Sequence, residues 1–241
     1  MLAVIDPGHG AADPGAVSGA LREKDLTLAI ALAVARELSR REAAVRLTRL
    51  SDAAVSLAER VGTANSTGAA LFLSVHVNAG GGSGFESFVH PSADSRTRLI
   101  RSTVHRKVAA VFAEAGFSDR GEKQADLYVL RRTRMPAVLL EYGFIDRPRD
   151  AAFLADAETR DRLARATADG VAEAFGLSAD PSPPADSGFP DGLDLSEWAK
   201  DARDWAVRSG VSAGERPKDP ATREEVWVML HRLAQKTGAS G

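Results

Sequence analysis

The sequence has no cysteine. That excludes a disulfide framework, a thiolate metal site and a cysteine nucleophile, so any transition-metal centre must be built from histidine and carboxylate. Aromatic residues are scarce, at 6% of the chain. No stretch approaches the ~18 consecutive apolar residues that a membrane span needs. An excess of one charge is missing too: 31 Lys and Arg against 33 Asp and Glu leave a net −2. This argues against a strongly basic nucleic-acid surface. Residues 178–241 carry a net −3 and residues 1–177 a net +1, so neither part is a polybasic anchor. The opening Met1-Leu2-Ala3-Val4-Ile5-Asp6 lacks a basic stretch, and its apolar run is too short for a secretory leader. No signal peptide is therefore expected. Phosphate-loop fingerprints are also absent. Gly8-His9-Gly10-Ala11-Ala12-Asp13 puts Asp where a dinucleotide loop needs its third Gly, and no Gly-Lys-Ser/Thr loop exists.

What remains is a chain of 241 residues, 44% hydrophobic, of ordinary globular composition. Short apolar runs at 2–5, 44–48, 70–75, 85–89, 128–130 and 137–140 predict strands. Helical periodicity marks residues 23–38, 99–115 and 160–175, with Leu57, Val61 and Ala64 marking one more helix. Strands apolar on both faces, alternating with helices, predict an α/β fold with a mostly parallel sheet covered on both sides. Composition then changes. Residues 178–192 hold four prolines and mostly small polar residues. The reading is a domain at 1–177, a proline-rich linker at 178–190 and a small helical module at 191–241. In that module Trp198, Ala202, Trp205 and Ala206 form one apolar stripe, and Val226, Met229, Leu230 and Leu233 form another.

Three predicted strands deliver a polar residue at or just beyond their carboxyl ends: His9, His76 and Glu141. Glu23 opens the first long helix. Ligand sites in open α/β sheets lie outside the carboxyl ends of the strands, so the topology permits these four to converge. Two imidazoles and one carboxylate are a three-ligand set for a catalytic zinc, and a second carboxylate can serve as general base. Each residue also has a plainer reading. A His after a strand can be a surface residue, and Glu23 can simply favour a helix N-terminus. His90, His105 and His231 lack such settings and read as solvated or structural.

The stretches VIDPGHGAADPGAVSG, EKDLTLAIA, VRLTRLSD, LFLSVHVNA, GFESFV, MPAVLLEYGFIDRPRD and ADGVAEAFG resemble, in order and spacing, the zinc-dependent N-acetylmuramoyl-L-alanine amidases of the Amidase_3 type. The resemblance spans about residues 1–176. It implies a twisted six-stranded sheet flanked by helices, with one Zn²⁺ per chain held by His9, Glu23 and His76. It further implies Glu141 as the catalytic carboxylate and peptidoglycan as the substrate, cut between N-acetylmuramic acid and L-alanine. No additional helix is expected to plug the site between His76 and Glu141. The tail is similar to one S-layer homology repeat, with Thr222-Arg223-Glu224-Glu225 at its signature position. That likeness implies a module binding a secondary cell-wall polymer. Arg223 is the candidate for an anionic group, since guanidinium matches carboxylate geometry, and a single repeat is a weak unit that self-association through exposed Trp faces would strengthen. For Trp at helical spacing, core packing is the plainer reading. A leaderless wall hydrolase is expected to stay cytoplasmic until released to the wall, as a phage-type endolysin is, or to leave as an autolysin by another route. The competing readings are an inactive wall-binding protein and a zinc peptidase acting on the stem peptide.

Overall fold

The computed structural model describes residues 1–178. In chain order the elements are β1 (Leu2–Pro7), β2 (Val17–Ser18), β3 (Leu21–Arg22), α1 (Glu23–Arg40), β4 (Ala44–Leu47), α2 (Leu57–Ser66) and β5 (Leu71–Asn78). Then follow β6 (Phe85–Val89), α3 (Ser95–Glu114), β7 (Asp119–Gln124), α4 (Tyr128–Arg132), β8 (Ala137–Phe144), α5 (Pro148–Ala155) and α6 (Ala157–Phe175). Six strands form one sheet in the order β4-β1-β5-β8-β6-β7. All neighbours run parallel except β6 and β8, which are antiparallel. This is the mostly parallel α/β sheet the sequence predicts. β2 and β3 form a separate antiparallel pair.

Strand pleating sorts side chains by parity. On one face Ile5, Leu73, Val75, Leu140 and Tyr142 join α1, α3 and α6 in the main core. On the other, Val4, Phe72, Ala137 and Leu139 pack with Val61 and Ala64 of α2 and Val129 and Leu130 of α4. His76 and Glu141 share the parity of Phe72 and Leu139, so both rise from the α2/α4 face. The helices start where local chemistry satisfies their free amides. Ser56 and Glu59 form a capping box on α2, while Asp94 and Asp156 cap α3 and α6. α6 ends on Gly176 in the left-handed conformation.

One expectation is corrected, and two elements are added. Residues 128–130, read as a strand, begin the short helix α4. Tyr-Val-Leu is β-prone, but here it packs a helical turn against Val61 and Phe72. The strand of that region is β7, an exposed polar edge that carries no apolar signal. Pro148 at the first turn opens α5, which precedes the predicted last helix. The linker, the 191–241 module, Arg223 and His231 lie outside the described residues.

Candidate metal centre

β1 runs out at Pro7 and hands the chain to Gly8-His9, where His9 adopts φ 60°. A non-glycine residue there needs support. Two buried arginines supply it. Arg60 donates to the carbonyls of Pro7 and His9 at 2.5 and 2.7 Å. Arg49 donates to Pro7 and Gly8 at 3.1 and 2.8 Å. The Arg60 guanidinium is itself paired with Asp6, 1% exposed, at 2.7 Å. Thr48 and Ser74 hydroxyls donate to the same carboxylate at 2.6 and 2.8 Å. The His9 turn is thus fixed by a buried polar lattice that satisfies nearly every group it contains.

Glu23 is the first residue of α1, 5% exposed, where the helix dipole favours a carboxylate. Its Oε2 accepts from the Ala16 amide at 2.9 Å, and its Oε1 accepts from the Val77 amide at 3.1 Å. The same Oε1 lies 3.1 Å from His9 Nε2 and 3.0 Å from His76 Nδ1. On its far side, His9 Nδ1 lies 2.9 Å from Asp13 Oδ2, which orients the ring. The donor atoms of His9, Glu23 and His76 all fall within 4.8 Å of one another. Two glycines make this approach possible. A Cβ on Gly8 would come within 2.2 Å of the His76 ring, and one on Gly15 within 2.6 Å of Glu23 Oε2.

The electrostatics are those of a site made for a cation. The hydrogen bond and charge of Glu23 raise His9 to about 9, against the effect of burial. Burial alone would lift Glu23, but hydrogen bonds from His76 and His9 hold it far below the carboxylate range. Burial would lower His76, yet Glu23 and Glu141 leave it raised. Glu23 thus draws positive charge toward the two imidazoles, and a divalent ion on these nitrogen and oxygen donors can take that place. Four-coordinate zinc wants donors about 3.3 Å apart, as its bond lengths imply. The 3.1 and 3.0 Å spacings from Glu23 Oε1 to the two imidazoles are close to that, and without cysteine the set is one that zinc accepts.

Glu141 lies beside the cluster on β8, register partner of His76 on β5. Its Oε2 is buried and has no hydrogen-bond partner. Burial pushes Glu141 up to about 7, with Glu23 and Glu86 adding to the rise and His76 and His9 opposing it. A carboxylate poised near neutrality suits proton transfer. His9 and His76 open onto a cleft of about 620 Å³, walled by Val55, Leu57, Leu127 and Tyr128. α4 therefore forms part of a wall of the cleft, and the two imidazoles stay about one-fifth exposed.

The four residues singled out from the sequence are thus brought together. His90 and His105 are not: His105 is buried between Ser87 and Asp119, and His90 bonds to Ser92. Sequence reasoning missed Asp6, Arg49 and Arg60 as supports. Asp6 sits at the end of an apolar strand and Arg60 within an amphipathic helix; each stands out as a charge in an apolar setting, but nothing local pairs them.

An open α/β sheet with a His/Glu/His cluster and a buried carboxylate at its strand ends is an architecture suited to a hydrolase. The chain matches the N-acetylmuramoyl-L-alanine amidase family model, Amidase_3, over residues 3–173, and belongs to that family. It is 47% identical over 175 residues to a sporulation-specific N-acetylmuramoyl-L-alanine amidase of Bacillus subtilis, covering 72% of this chain and 68% of that one. It is 44% identical over 180 residues to the endolysin of Bacillus phage SPP1, covering 73% and 66%. Its fold matches the catalytic domain of CwlV, an amidase from Bacillus (Paenibacillus) polymyxa, with a TM-score of 0.68 at 35% identity over 73% of this chain and 99% of that one.

Proposed function

We propose that the chain hydrolyses peptidoglycan at the amide joining N-acetylmuramic acid to L-alanine, with one zinc ion held by His9, Glu23 and His76. The observation that carries this reading is the buried, unpartnered Glu141 oxygen beside a cluster whose donors converge on a common point. Bound zinc would acidify a water and polarise the scissile carbonyl. The protein's own groups do the rest. Asp13 holds the His9 ring in place, and Glu23 uses both carboxylate oxygens to fix its orientation. Glu141 takes the water proton and returns it to the departing L-alanine nitrogen. Its elevated proton affinity makes both transfers feasible near pH 7.

His9 and His76 face an open cleft, and this supports an enzyme that needs no activating partner. Relatives named as a sporulation-specific amidase and as a phage endolysin support either origin. Residues 191–241 would hold the enzyme on the wall polymer, Arg223 contacting an anionic group, with self-association of the single repeat. Among the described residues no helix is long and apolar enough to cross a membrane.

Digestion of purified peptidoglycan by the zinc-loaded chain tests the activity. New amino termini should be L-alanine. Other new termini mean a peptidase, and no new amines mean a binding protein. Retention on purified walls tests the tail: residues 1–177 should wash off and the whole chain should stay.

A further inference from the structure

The mechanism leaves one charged cluster unused. It lies on the same face of the sheet as His76 and Glu141, one strand further on. Glu86 of β6 is the direct register partner of Glu141. Its carboxylate is 5% exposed and accepts three hydrogen bonds, one from each of three side chains. Asn78 Nδ2 donates to Oε1 at 2.7 Å, while Arg120 Nε and Lys123 Nζ donate to Oε2 at 2.8 and 2.5 Å.

Arg120 and Lys123 are three residues apart on β7. In a regular strand such residues point to opposite faces. Here both reach Glu86, because β7 carries an extra residue: from Phe85↔Asp119 to Ser87↔Glu122, β6 advances two positions and β7 three. Gly121 takes up the bulge with φ 84°, its amide donating to Asp119 Oδ1 at 2.7 Å. The same Asp119 oxygen lies 2.9 Å from His105 Nε2, and His105 Nδ1 lies 2.8 Å from Ser87 Oγ. The buried histidine thus pins the bulge that aims Arg120. Charged residues on an edge strand are ordinary, since they discourage edge pairing. A bulge that folds two cations onto one buried carboxylate beside an active-site face calls for more.

One carboxylate holds two cations, so the cluster presents a net positive charge. Arg120 holds its Cζ 4.7 Å from the centre of the Phe144 ring and donates to Glu86 through Nε. Its two Nη groups have no hydrogen-bond partner among the described residues, and the side chain is about one-third exposed. That is the fork that matches a carboxylate. The nearby acids are engaged elsewhere, Glu122 with Arg101 and Asp119 with His105.

Resting on the amidase reading, we propose that Arg120 and Lys123, seated on Glu86, form the subsite for a carboxylate of the peptide half of the substrate. Glu141 delivers a proton to the leaving nitrogen, so the amine half lies on the Glu141 side of the cluster, toward β6 and β7. β8 and β7 are two strand spacings apart, about 10 Å. An extended peptide covers about 3.5 Å per residue. The acidic residue that follows L-alanine in the stem peptide therefore comes within reach of Arg120. The glycan half is left to the apolar cleft between α2 and α4.

The test uses the zinc-loaded full chain and two synthetic substrates: N-acetylmuramoyl-L-alanyl-D-glutamate and its diamide. It measures kcat/KM for both, and calorimetric binding of the free dipeptide and the dipeptide diamide. The native protein should favour the acid about tenfold or more, as expected of a charge-assisted pair. R120Q should bring the acid-to-amide ratio toward one, K123Q should lower it less, and R120K should restore part of it. Equal handling of acid and amide by the native protein would overturn the proposal, whatever the variants do. So would a ratio unchanged in R120Q and K123Q. Preferential binding of the acidic dipeptide without cleavage of either substrate would keep the subsite and remove the amidase reading instead.

Discussion

β1 and β7 each span six residues. β1 is buried along five of them, with one apolar run feeding both cores. β7 has no buried residue and reads Asp-Arg-Gly-Glu-Lys-Gln. Both nevertheless deliver side chains to the same face of the sheet. β1 does so through a strained turn locked by Arg49, Arg60 and Asp6, and β7 through a bulge resting on Glu86. The buried strand holds groups whose positions cannot vary. The exposed strand carries Arg120 and Lys123 outside the apolar core, tied to it through Glu86, which is where a chain can adjust what it accepts.

The comparison can be broken hardest at the centre. Glu141→Gln should lower turnover by on the order of 10²–10⁴-fold while zinc content, measured by elemental analysis, stays at one per chain. His9→Ala should lose both metal and activity in the same two measurements. Next comes the lattice beneath His9. Arg60→Met strands Asp6 as a buried unpaired charge, and denaturant unfolding should record a loss of about 3–5 kcal/mol. A loss under 1 kcal/mol would mean that Asp6 finds water or a proton cheaply.

A milder probe is pH. His9 is raised to about 9 in the metal-free fold, from an ordinary 6.5. Its raised affinity means the folded state binds the extra proton, so this stabilisation is complete below about 6.5 and is lost as pH rises through about 9. The metal-free protein should therefore melt progressively lower between those values. Zinc uptake must displace the same proton, so affinity should rise across the same window, and calorimetry in two buffers should count the protons released. The smallest effect belongs to the surface. Arg106 pairs with Glu173 while both are largely exposed, and Arg106→Ala should shift unfolding by no more than about 0.5 kcal/mol.

The contrast also explains what could be read in advance. β1, β5 and β8 are legible because burial on both faces demands unbroken apolar runs, and the three polar residues His9, His76 and Glu141 stand out against them. Glu23 was legible from its place at a helix start. β7 was not, since an edge strand facing water needs no apolar pattern and Gly121 serves the bulge. Tyr128–Arg132 misled because local β preference in three residues loses to packing against Val61 and Phe72. The Asp6–Arg60 pair is separated by 54 positions, and no local rule connects such residues.

β1 lies inside the sheet, between β4 and β5, and β5 in turn needs β8. During synthesis the first strand made finds β4 early, pairing Leu2 with Ala44, and β5 later, pairing Ala3 with Leu71, but β5 gains its second neighbour only when β8 emerges, more than one hundred and thirty residues after β1. At about 5–20 residues per second, that delay lasts several seconds or longer. Until Glu141 and the helix after it have left the ribosome, His9, Glu23 and His76 have no completed sheet to stand on. A chain that stops before β8 should therefore be inactive, so the proposed wall-cutting activity would arise only when translation of the domain is finished.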